Sequence, residues 1–149
     1  MLNIISVPPD EMPIHLLLEA DPSEKSIKDY LKNSLCYLAM KSNMAVGVCV
    51  LKQLDDDTLE LYNIAVCPSI QRHGVGTRLL YHVIEEARNK GFGRIELGTG
   101  TFGYQLAFYQ RAGFRVEGVI KNYFVDNYGE PIIELGIQLK DMLRLAVEL

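Results

Sequence analysis

Cysteines, basic charge and long apolar runs are all scarce in this chain of 149 residues, and each scarcity excludes a class of protein. The three cysteines, Cys36, Cys49 and Cys67, are odd in number and widely spaced, which excludes a disulfide framework and cysteine metal-ligand spacing. The 15 Lys and Arg residues are outnumbered by 19 Asp and Glu, and the net charge of −4 argues against nucleic acid as a partner. No apolar run reaches the roughly 18 residues that a membrane span needs. Residues 1–20 also lack a basic leader, so we expect a cytoplasmic protein.

Hydrophobic residues, by contrast, are abundant and regularly patterned. They make up 48% of the chain, which at this length is enough to bury the core of one domain spanning residues 1–149. Their periodicity predicts, in chain order, strand 2–7, helix 14–20, a helix capped by Ser23, strands 35–40, 44–51 and 58–66, helix 74–90, strand 94–99, helix 104–112, and strands 116–124 and 141–149. This order predicts an α/β fold in which helices cover both faces of a layered sheet.

Residues 60–80 are the most informative stretch, because a strand, a tight turn and the start of a helix follow one another there without a gap. Pro68 ends the strand, since proline has no N–H to donate to a ladder. Gly74 and Gly76 lie at the N-terminus of the next helix, whose apolar residues form one stripe: Val75, Leu79, Leu80, Val83, Ile84 and Ala87. The first amide N–H groups of a helix lack internal partners, so glycines there let a phosphate approach closely. The turn therefore predicts an anion site built from backbone.

Two short patterns carry a family resemblance. The loop lacks both the Gly-x-x-x-x-Gly-Lys-Ser/Thr of nucleoside-triphosphate sites and the Gly-x-Gly-x-x-Gly of dinucleotide sites. Its order, Gln71-x-x-Gly74-x-Gly76, resembles instead the signature with which the GNAT superfamily of acyl-CoA-dependent N-acyltransferases holds the coenzyme A pyrophosphate. Residues 109–114, Tyr-Gln-Arg-Ala-Gly-Phe, are similar to that family's downstream Tyr-x-x-x-Gly-Phe. The resemblance implies acetyl-CoA as co-substrate and a single mixed, largely antiparallel sheet of about seven strands with helices on both faces.

The resemblance also implies site residues. The strand end and the following loop are expected to hold the coenzyme, almost wholly through backbone, with Ile64, Ala65, Val66, Gln71, Arg72, His73, Gly74, Val75, Gly76 and Thr77. Tyr109 matches the tyrosine that gives a proton to the departing sulfur. An alkylammonium acceptor must lose a proton before it attacks, and a carboxylate is the natural base. Glu60 and Glu96 both qualify, and we rank Glu60 first because its spacing to Gln71 fits the family without an insertion.

The sequence also departs from the family. Phe102 stands where many members have an asparagine that contacts the pantetheine arm, inside a glycine-rich stretch at residues 98–103. Two interpretations of this stretch stay open: Thr99 or Thr101 replaces the missing contact, or the stretch shapes the acceptor pocket. Residues 125–138, the longest segment without a predicted element, are expected to border that pocket.

The acceptor is expected to be the primary amine of a small molecule. One alternative is peptide N-terminal acetylation, because two segments, residues 63–66 (Asn-Ile-Ala-Val) and 122–124 (Asn-Tyr-Phe), resemble the ribosomal-protein alanine acetyltransferases. Another is a sensor that binds acetyl-CoA without turnover, although two strand glutamates and a motif tyrosine favour an enzyme. No metal is expected, since the adjacent carboxylates of residues 55–57 are typical of a solvated turn. Apolar strands of small members of this family often pair between subunits, so we expect a homodimer.

Overall fold

The computed structural model describes all 149 residues and contains nine strands and five α-helices. The strands are β1 (Leu2–Val7), β2 (Leu35–Lys41), β3 (Met44–Gln53), β4 (Thr58–Val66), β5 (Arg94–Thr99), β6 (Arg115–Ile120), β7 (Ile133–Glu134), β8 (Ile137–Gln138) and β9 (Met142–Glu148). The helices are α1 (Ile14–Leu17), α2 (Glu24–Leu31), α3 (Val75–Asn89), α4 (Tyr104–Arg111) and α5 (Tyr123–Asn127). Seven strands form one sheet in the order β1-β2-β3-β4-β5-β9-β6, and β7 pairs with β8 in a separate hairpin. The pairs β1–β2, β2–β3, β3–β4 and β6–β9 are antiparallel, and the predicted fold class is confirmed.

The chain divides into two compact units. The first comprises residues 1–95 together with Leu149, and the second comprises residues 96–148. The amide of Leu149 donates to the carbonyl of Gly93 at 2.9 Å, which ties the last residue to the first unit. No helix in either unit combines the length and the apolar character needed to cross a membrane.

In the first unit, helices pack on both faces of strands β1–β4. One face carries α1 and α2, whose side chains Leu17 and Ile27 are fully buried in one cluster with Val48 of β3. The other face carries α3, whose buried stripe is the predicted set Val75, Leu79, Leu80, Val83, Ile84 and Ala87. Gly47 of β3 lies beneath this helix, and a β-carbon there would come within 3.4 Å of Leu79 Cδ2. Full burial stabilises each such leucine or isoleucine by roughly 1.5–3 kcal/mol, so both faces hold the sheet.

In the second unit, Leu97, Phe114 and Leu145 are buried almost completely. Strand β6 forms the edge of the sheet and pairs only with β9. Its side chains remain exposed, with Val116 at 45% and Val119 at 55%. This edge is therefore an apolar surface that the chain itself leaves uncovered.

Two predicted element ends are wrong, and one segment without a predicted element is structured. Helix α1 ends at Leu17 rather than at residue 20, because the following residues turn back on it and the amides of Ala20 and Asp21 both donate to the Leu17 carbonyl. The strand predicted to reach residue 124 ends at Ile120, because Asn122 has a φ of 59° and starts α5. Residues 125–138 are structured, since they contain the end of α5 and the β7–β8 hairpin.

Candidate functional site

The connection from β4 to α3 reverses the chain within a few residues. After Val66 the backbone makes one 3-10 turn at Pro68–Ile70. It then passes through two residues with positive φ, Arg72 at 70° and Gly74 at 80°. Left-handed backbone of this kind suits glycine and is uncommon for other residues. Gly74 therefore supplies the left-handed conformation directly before the start of α3.

The backbone amides in the first turn of α3 have no intrahelical carbonyl to which they can donate. The amide of Arg78 donates to the carbonyl of Gly74 at 3.0 Å, and the amides of residues 75–77 precede that first intrahelical bond. Gly74, at the cap position, has no side chain to accept from them. Val75 is buried, Gly76 is half-buried and Thr77 is exposed. The turn thus offers main-chain donors beside the positive end of the helix dipole, an arrangement suited to an anion.

The predicted loop residue Gln71 braces this turn with its side chain. Its Nε2 donates to the carbonyl of Val66 at 3.1 Å, which joins the loop to the end of β4. The next amide, that of Cys67, donates to the carbonyl of Val46 at 2.8 Å. Both bonds hold the turn against the sheet, so its shape depends on the strand that precedes it.

The strand end itself is regular. Ile64, Ala65 and Val66 pair with residues 49, 48 and 47 of β3, in that order. Ile64 and Ala65 are buried, and Val66 is half-buried. The residues predicted to line the coenzyme's arm are thus held in an extended conformation directly before the braced turn.

Nearer the start of β4, the pairing with β3 contains a bulge. Asn63 pairs with Val50 and Leu61 pairs with Leu51, so Tyr62 is the extra residue. In an unbroken strand, residues 60 and 63 would point to opposite faces, because side chains alternate with a period of two. The extra residue removes this opposition and places Glu60 on the same face as Asn63, the face covered by α1 and α2.

A buried polar network that no sequence pattern predicts lies at this bulge. Asn63 is 2% exposed, and its Nδ2 donates to the carbonyl of Leu17 and to the hydroxyl of Tyr30, each at 2.9 Å. The Tyr30 hydroxyl donates to Asp21 Oδ2 at 3.2 Å. The Tyr30 ring also stacks on Tyr62, with centroids 5.0 Å apart. The bonds of Asn63 Nδ2 and of the Tyr30 hydroxyl offset the cost of burying these groups, whereas Asn63 Oδ1 is buried with no hydrogen-bond partner.

In the second unit, Tyr109 is positioned by the way α4 ends. The amide of Phe114 donates to the carbonyl of Tyr109 at 3.1 Å, and the amide of Gly113 donates to the carbonyl of Gln110 at 3.0 Å. These two bonds, with Gly113 at a φ of 101°, form a Schellman motif. The rings of Tyr109 and Phe114 meet edge to face at 5.8 Å, which is the apolar contact that accompanies this motif. Tyr109 is 6% exposed.

Glu96, the second predicted base, has a cationic partner. Arg144 Nη2 of β9 lies 3.4 Å from Glu96 Oε1, and both side chains are about three-quarters buried. Arg144 Nη1 also lies 4.0 Å from the sulfur of Met142. This pair holds the Glu96 carboxylate between two strands of the second unit.

Two glycines of the stretch at residues 98–103 lie close against side chains of the second unit. A β-carbon on Gly98 would collide with the sulfur of Met142, and one on Gly100 would lie 2.7 Å from Leu139 Cδ2. Gly103 adopts a φ of 101° directly before α4. Thr99 is buried whereas Thr101 is exposed, so of the two threonines only Thr101 presents its side chain at the surface.

Cys67 is the one cysteine of the three that is not buried. Its sulfur lies 3.3 Å from the hydroxyl of Ser69, and the hydrogen bonds from Ser69 hold the pKa of the Cys67 thiol below its usual value. Burial instead raises the pKa of Cys36 and of Cys49. The thiol with the greatest thiolate character therefore stands at the entrance of the β4–α3 turn.

The predicted site residues thus fall into two groups. The strand end, the turn and Glu60 belong to the first unit, whereas Glu96 and Tyr109 belong to the second. Periodicity and glycine placement located the turn, but nothing in the sequence indicated the bulge or the network at Asn63.

A family profile and two known proteins are similar to this chain. Residues 6–114 match the profile described as the acetyltransferase (GNAT) family. The uncharacterized N-acetyltransferase YvbK of Bacillus subtilis (strain 168) is 42% identical over 135 residues, which cover 90% of this chain and 87% of that protein. The ribosomal protein bS18-alanine N-acetyltransferase of Escherichia coli (strain K12) is 28% identical over 103 residues, which cover 68% and 70%.

A solved structure extends the likeness to the whole fold. The crystal structure of a GNAT family acetyltransferase from Elizabethkingia anophelis with acetyl-CoA bound is similar with a TM-score of 0.94 and 42% sequence identity. The similarity covers 99% of this chain and 98% of that one.

Proposed function

Because this chain belongs to the acetyltransferase (GNAT) family, we propose that it moves an acetyl group from acetyl-CoA to the primary amine of a small molecule by direct attack. The chain is an N-acetyltransferase by family, with acetyl-CoA as co-substrate. The small-molecule acceptor and the residue roles are the proposal. The observation that carries it is the row of amides without helical partners at residues 75–77, directly after an extended strand end.

In this proposal the coenzyme binds along β4 and the turn. The pyrophosphate accepts from amides of residues 72–77, where the helix dipole favours negative charge. The pantetheine amides bond backbone groups of residues 64–66. Because these partners are main chain, Gln71 contributes through its bond to Val66, which fixes the turn, rather than as an anion ligand.

The base in this proposal is Glu60, which takes the proton of the acceptor ammonium directly or through water. The bulge at Tyr62 supports this role, since it places Glu60 on the face of β4 that carries α1 and α2. Glu96, whose Oε1 lies 3.4 Å from Arg144 Nη2, is the second candidate for the base.

The acid in this proposal is Tyr109. As the tetrahedral intermediate collapses, the carbon–sulfur bond breaks and the phenol supplies a proton to the thiolate. A backbone amide near residue 65 or 66 stabilises the oxyanion that forms before this step. The Schellman motif supports the assignment, because it fixes the position of Tyr109 within α4.

The acceptor in this proposal contacts the segment between β6 and β9. Three aromatic side chains cluster there, with Phe124 5.3 Å from Tyr123 and 5.9 Å from Tyr128 between ring centroids. Such a cluster suits a small amine with an apolar body. Replacing residues 129–136 by a short glycine linker should weaken acceptor binding while acetyl-CoA affinity stays unchanged. Equal loss of both would contradict this placement.

Peptide N-terminal acetylation is the second candidate, and the 28% identity to the bS18-alanine enzyme favours it. A sensor without turnover is the third. Incubation with acetyl-CoA and either pooled small amines or peptides that begin with alanine separates the three candidates. Thiol release with the amines alone supports our proposal, release with the peptides alone supports the second, and tight binding without release supports the sensor.

A titration of acetyl-CoA into the protein tests the coenzyme site. Gly76→Asp adds a carboxylate beside the proposed pyrophosphate and should weaken acetyl-CoA binding at least about tenfold. Gly129→Asp adds the same charge in an exposed loop of the second unit and is the control. Unchanged affinity in Gly76→Asp would remove the pyrophosphate from this turn.

We also propose a homodimer through β6. Its exposed apolar side chains include Val116, Val119 and Ile120, and unpaired edge strands readily add another strand. Light scattering on the eluting protein should give twice the mass of 16.8 kDa. Val119→Lys should return the monomer mass, and a monomer in the unmodified protein would contradict the dimer.

A further inference from the structure

One side chain contacts both residues of the bulge in β4. Tyr30, in the last turn of α2, stacks on Tyr62 at 5.0 Å and accepts from Asn63 Nδ2 at 2.9 Å. Consecutive residues of a strand normally face opposite ways, so one ring meets both only because Tyr62 is the extra residue. Tyr30 can therefore make both contacts only with the bulged strand, and it would lose one of them in a regular ladder.

Tyr30 is itself fixed in place. Its hydroxyl donates to Asp21 Oδ2, and the other carboxylate oxygen of Asp21 accepts from the amide of Ser23 at 3.0 Å. Ser23 caps α2 by accepting from the amide of Ser26 at 3.1 Å. Asp21 thus joins the beginning of α2 to Tyr30 near its end, and the ring has no freedom to follow a strand that changes register.

The register matters because Glu60 lies beyond the bulge. If Tyr62 were drawn into the ladder, the residues before it would shift by one position, and Glu60 would turn to the face covered by α3. Asn63 and its bond to Leu17 would hold one side of the bulge, whereas Tyr30 holds both. The orientation of the carboxylate therefore depends on a tyrosine that lies on a different element.

We propose that Tyr30 is a positioning residue for the acetyl transfer: its bonds to Asn63 and Asp21 and its stack on Tyr62 hold the β4 bulge that presents Glu60 to the acceptor. This inference rests on the proposed function, in which Glu60 is the base. Tyr30 touches neither reactant in this scheme. It acts on the angle and distance at which the carboxylate meets the amine, to which proton transfer is sensitive.

Tyr30→Phe tests the inference, because it keeps the ring stack and removes only the hydroxyl. We expect kcat to fall about tenfold, since small errors in the placement of a reacting group carry losses of this order. The affinity for acetyl-CoA should stay unchanged, because the turn at residues 67–77 is braced independently by Gln71. Tyr37→Phe removes the hydroxyl of another buried tyrosine, beneath α3, and is the control expected to keep wild-type kcat.

A double-variant comparison separates positioning from general loss of structure. If Tyr30 acts through Glu60, Tyr30→Phe lowers kcat in the wild-type background and has no further effect in Glu60→Gln. A Tyr30→Phe loss that persists in full in Glu60→Gln would show a structural role only and would overturn the inference, as would wild-type kcat in Tyr30→Phe. Wild-type kcat in Glu60→Gln overturns the base assignment and, with it, this route of action. Loss in Glu60→Gln without loss in Tyr30→Phe overturns the role of Tyr30 alone.

Discussion

The ring of Tyr109 packs against two aromatic neighbours. Its ring lies 5.3 Å from Phe108 and 5.8 Å from Phe114 between centroids. Tyr109→Phe keeps both contacts and removes only the proposed proton donor. We expect turnover to fall about 100-fold, the size of a general-acid contribution. Free-thiol release at saturating acetyl-CoA measures this rate, and calorimetry should show an unchanged acetyl-CoA affinity.

Tyr104→Phe is the matched control for that change. Tyr104 lies in the first turn of the same helix and is 76% exposed, so loss of its hydroxyl should leave turnover as it is. If Tyr109→Phe also released thiol at the wild-type rate, the acid would have to be another group.

Cys67 should be the one cysteine that reacts in the folded protein. Cys36 and Cys49 are 1% and 0% exposed, whereas Cys67 is half-buried and its thiol pKa is lowered by Ser69. A lower pKa leaves more thiolate at neutral pH, and thiolate is the reactive form. We expect a disulfide reagent to modify one thiol per chain, and Cys67→Ala to abolish this reaction.

Ser69→Ala tests the cause of that reactivity. Without the hydrogen bonds from Ser69, the pKa of the Cys67 thiol rises toward its ordinary value and the rate at neutral pH falls. An unchanged rate in Ser69→Ala would assign the reactivity to exposure alone.

At the scale of the element, the end of α4 depends on one backbone conformation. Gly113 has a φ of 101°, and a β-carbon there would meet only Val147 Cγ2, at the ordinary contact distance of 3.6 Å. Gly113→Ala therefore adds conformational strain without a collision and should lower the free energy of unfolding by about 1–2 kcal/mol. Urea unfolding measures this loss, and turnover should fall as well because Tyr109 is fixed by the same turn.

Gly118→Ala is the control, since a β-carbon at Gly118 meets nothing within 4 Å and its φ is not positive. It should cost little stability and leave turnover unchanged. Equal destabilisation by the two variants would argue that loss of glycine, and not the left-handed conformation, is responsible.

Elements with a strong local signal could be predicted from the sequence. Strand β5 was predicted residue by residue, and the stripe on α3 was predicted completely, because their periods are unambiguous. The ends of α1 and β6 were wrong because each is set by a turn, and Asn122 gives no sign in sequence that its φ is positive. The bulge at Tyr62 was beyond prediction, since it is defined only by pairing with β3.

At the scale of the whole molecule, buried tyrosine and cysteine side chains lower the stability of the folded protein at alkaline pH. Burial first, and the charge of Glu86 second, raise the pKa of Tyr37 to about 12. The unfolded chain releases this proton near a pH of about 10, so the contribution of neutral Tyr37 is complete below that pH and is lost as the pH rises through about 12. We expect Tyr37→Phe to flatten the decline of the unfolding free energy over this range, as measured by urea titrations.

Tyr81→Phe is the control for that measurement, because Tyr81 is 50% exposed on the same unit. Burial also raises the pKa of Cys36 and of Cys49. Their contribution to the alkaline decline of the unfolding free energy is the same in both variants. If the unfolding free energy declined as steeply in Tyr37→Phe as in Tyr81→Phe, groups other than Tyr37 would be responsible for the loss of stability at alkaline pH.

The candidate site was predicted in its parts better than as a whole. The turn at residues 67–77 follows from proline, glycine and helix periodicity, all of which are local. Glu60 and Glu96 are both strand carboxylates that the sequence ranks only by spacing, and the ion pair of Glu96 with Arg144, 48 residues along the chain, appears only in the structure. Contacts between distant segments carry no periodic signal, which is why the hydrogen bond between Asn63 and Tyr30 was not predicted.

The left-handed conformation of Gly74 also predicts which substitutions in this loop the protein tolerates. A site made of main-chain donors places few demands on the identity of its side chains, so a saturation library across residues 72–77 should accept many replacements at His73 and Thr77, which are both exposed. Gly74 should accept almost none, because its φ of 80° penalises any β-carbon although the space around it is empty. Related sequences can therefore drift widely in this loop and still keep its shape, provided that the glycine is retained.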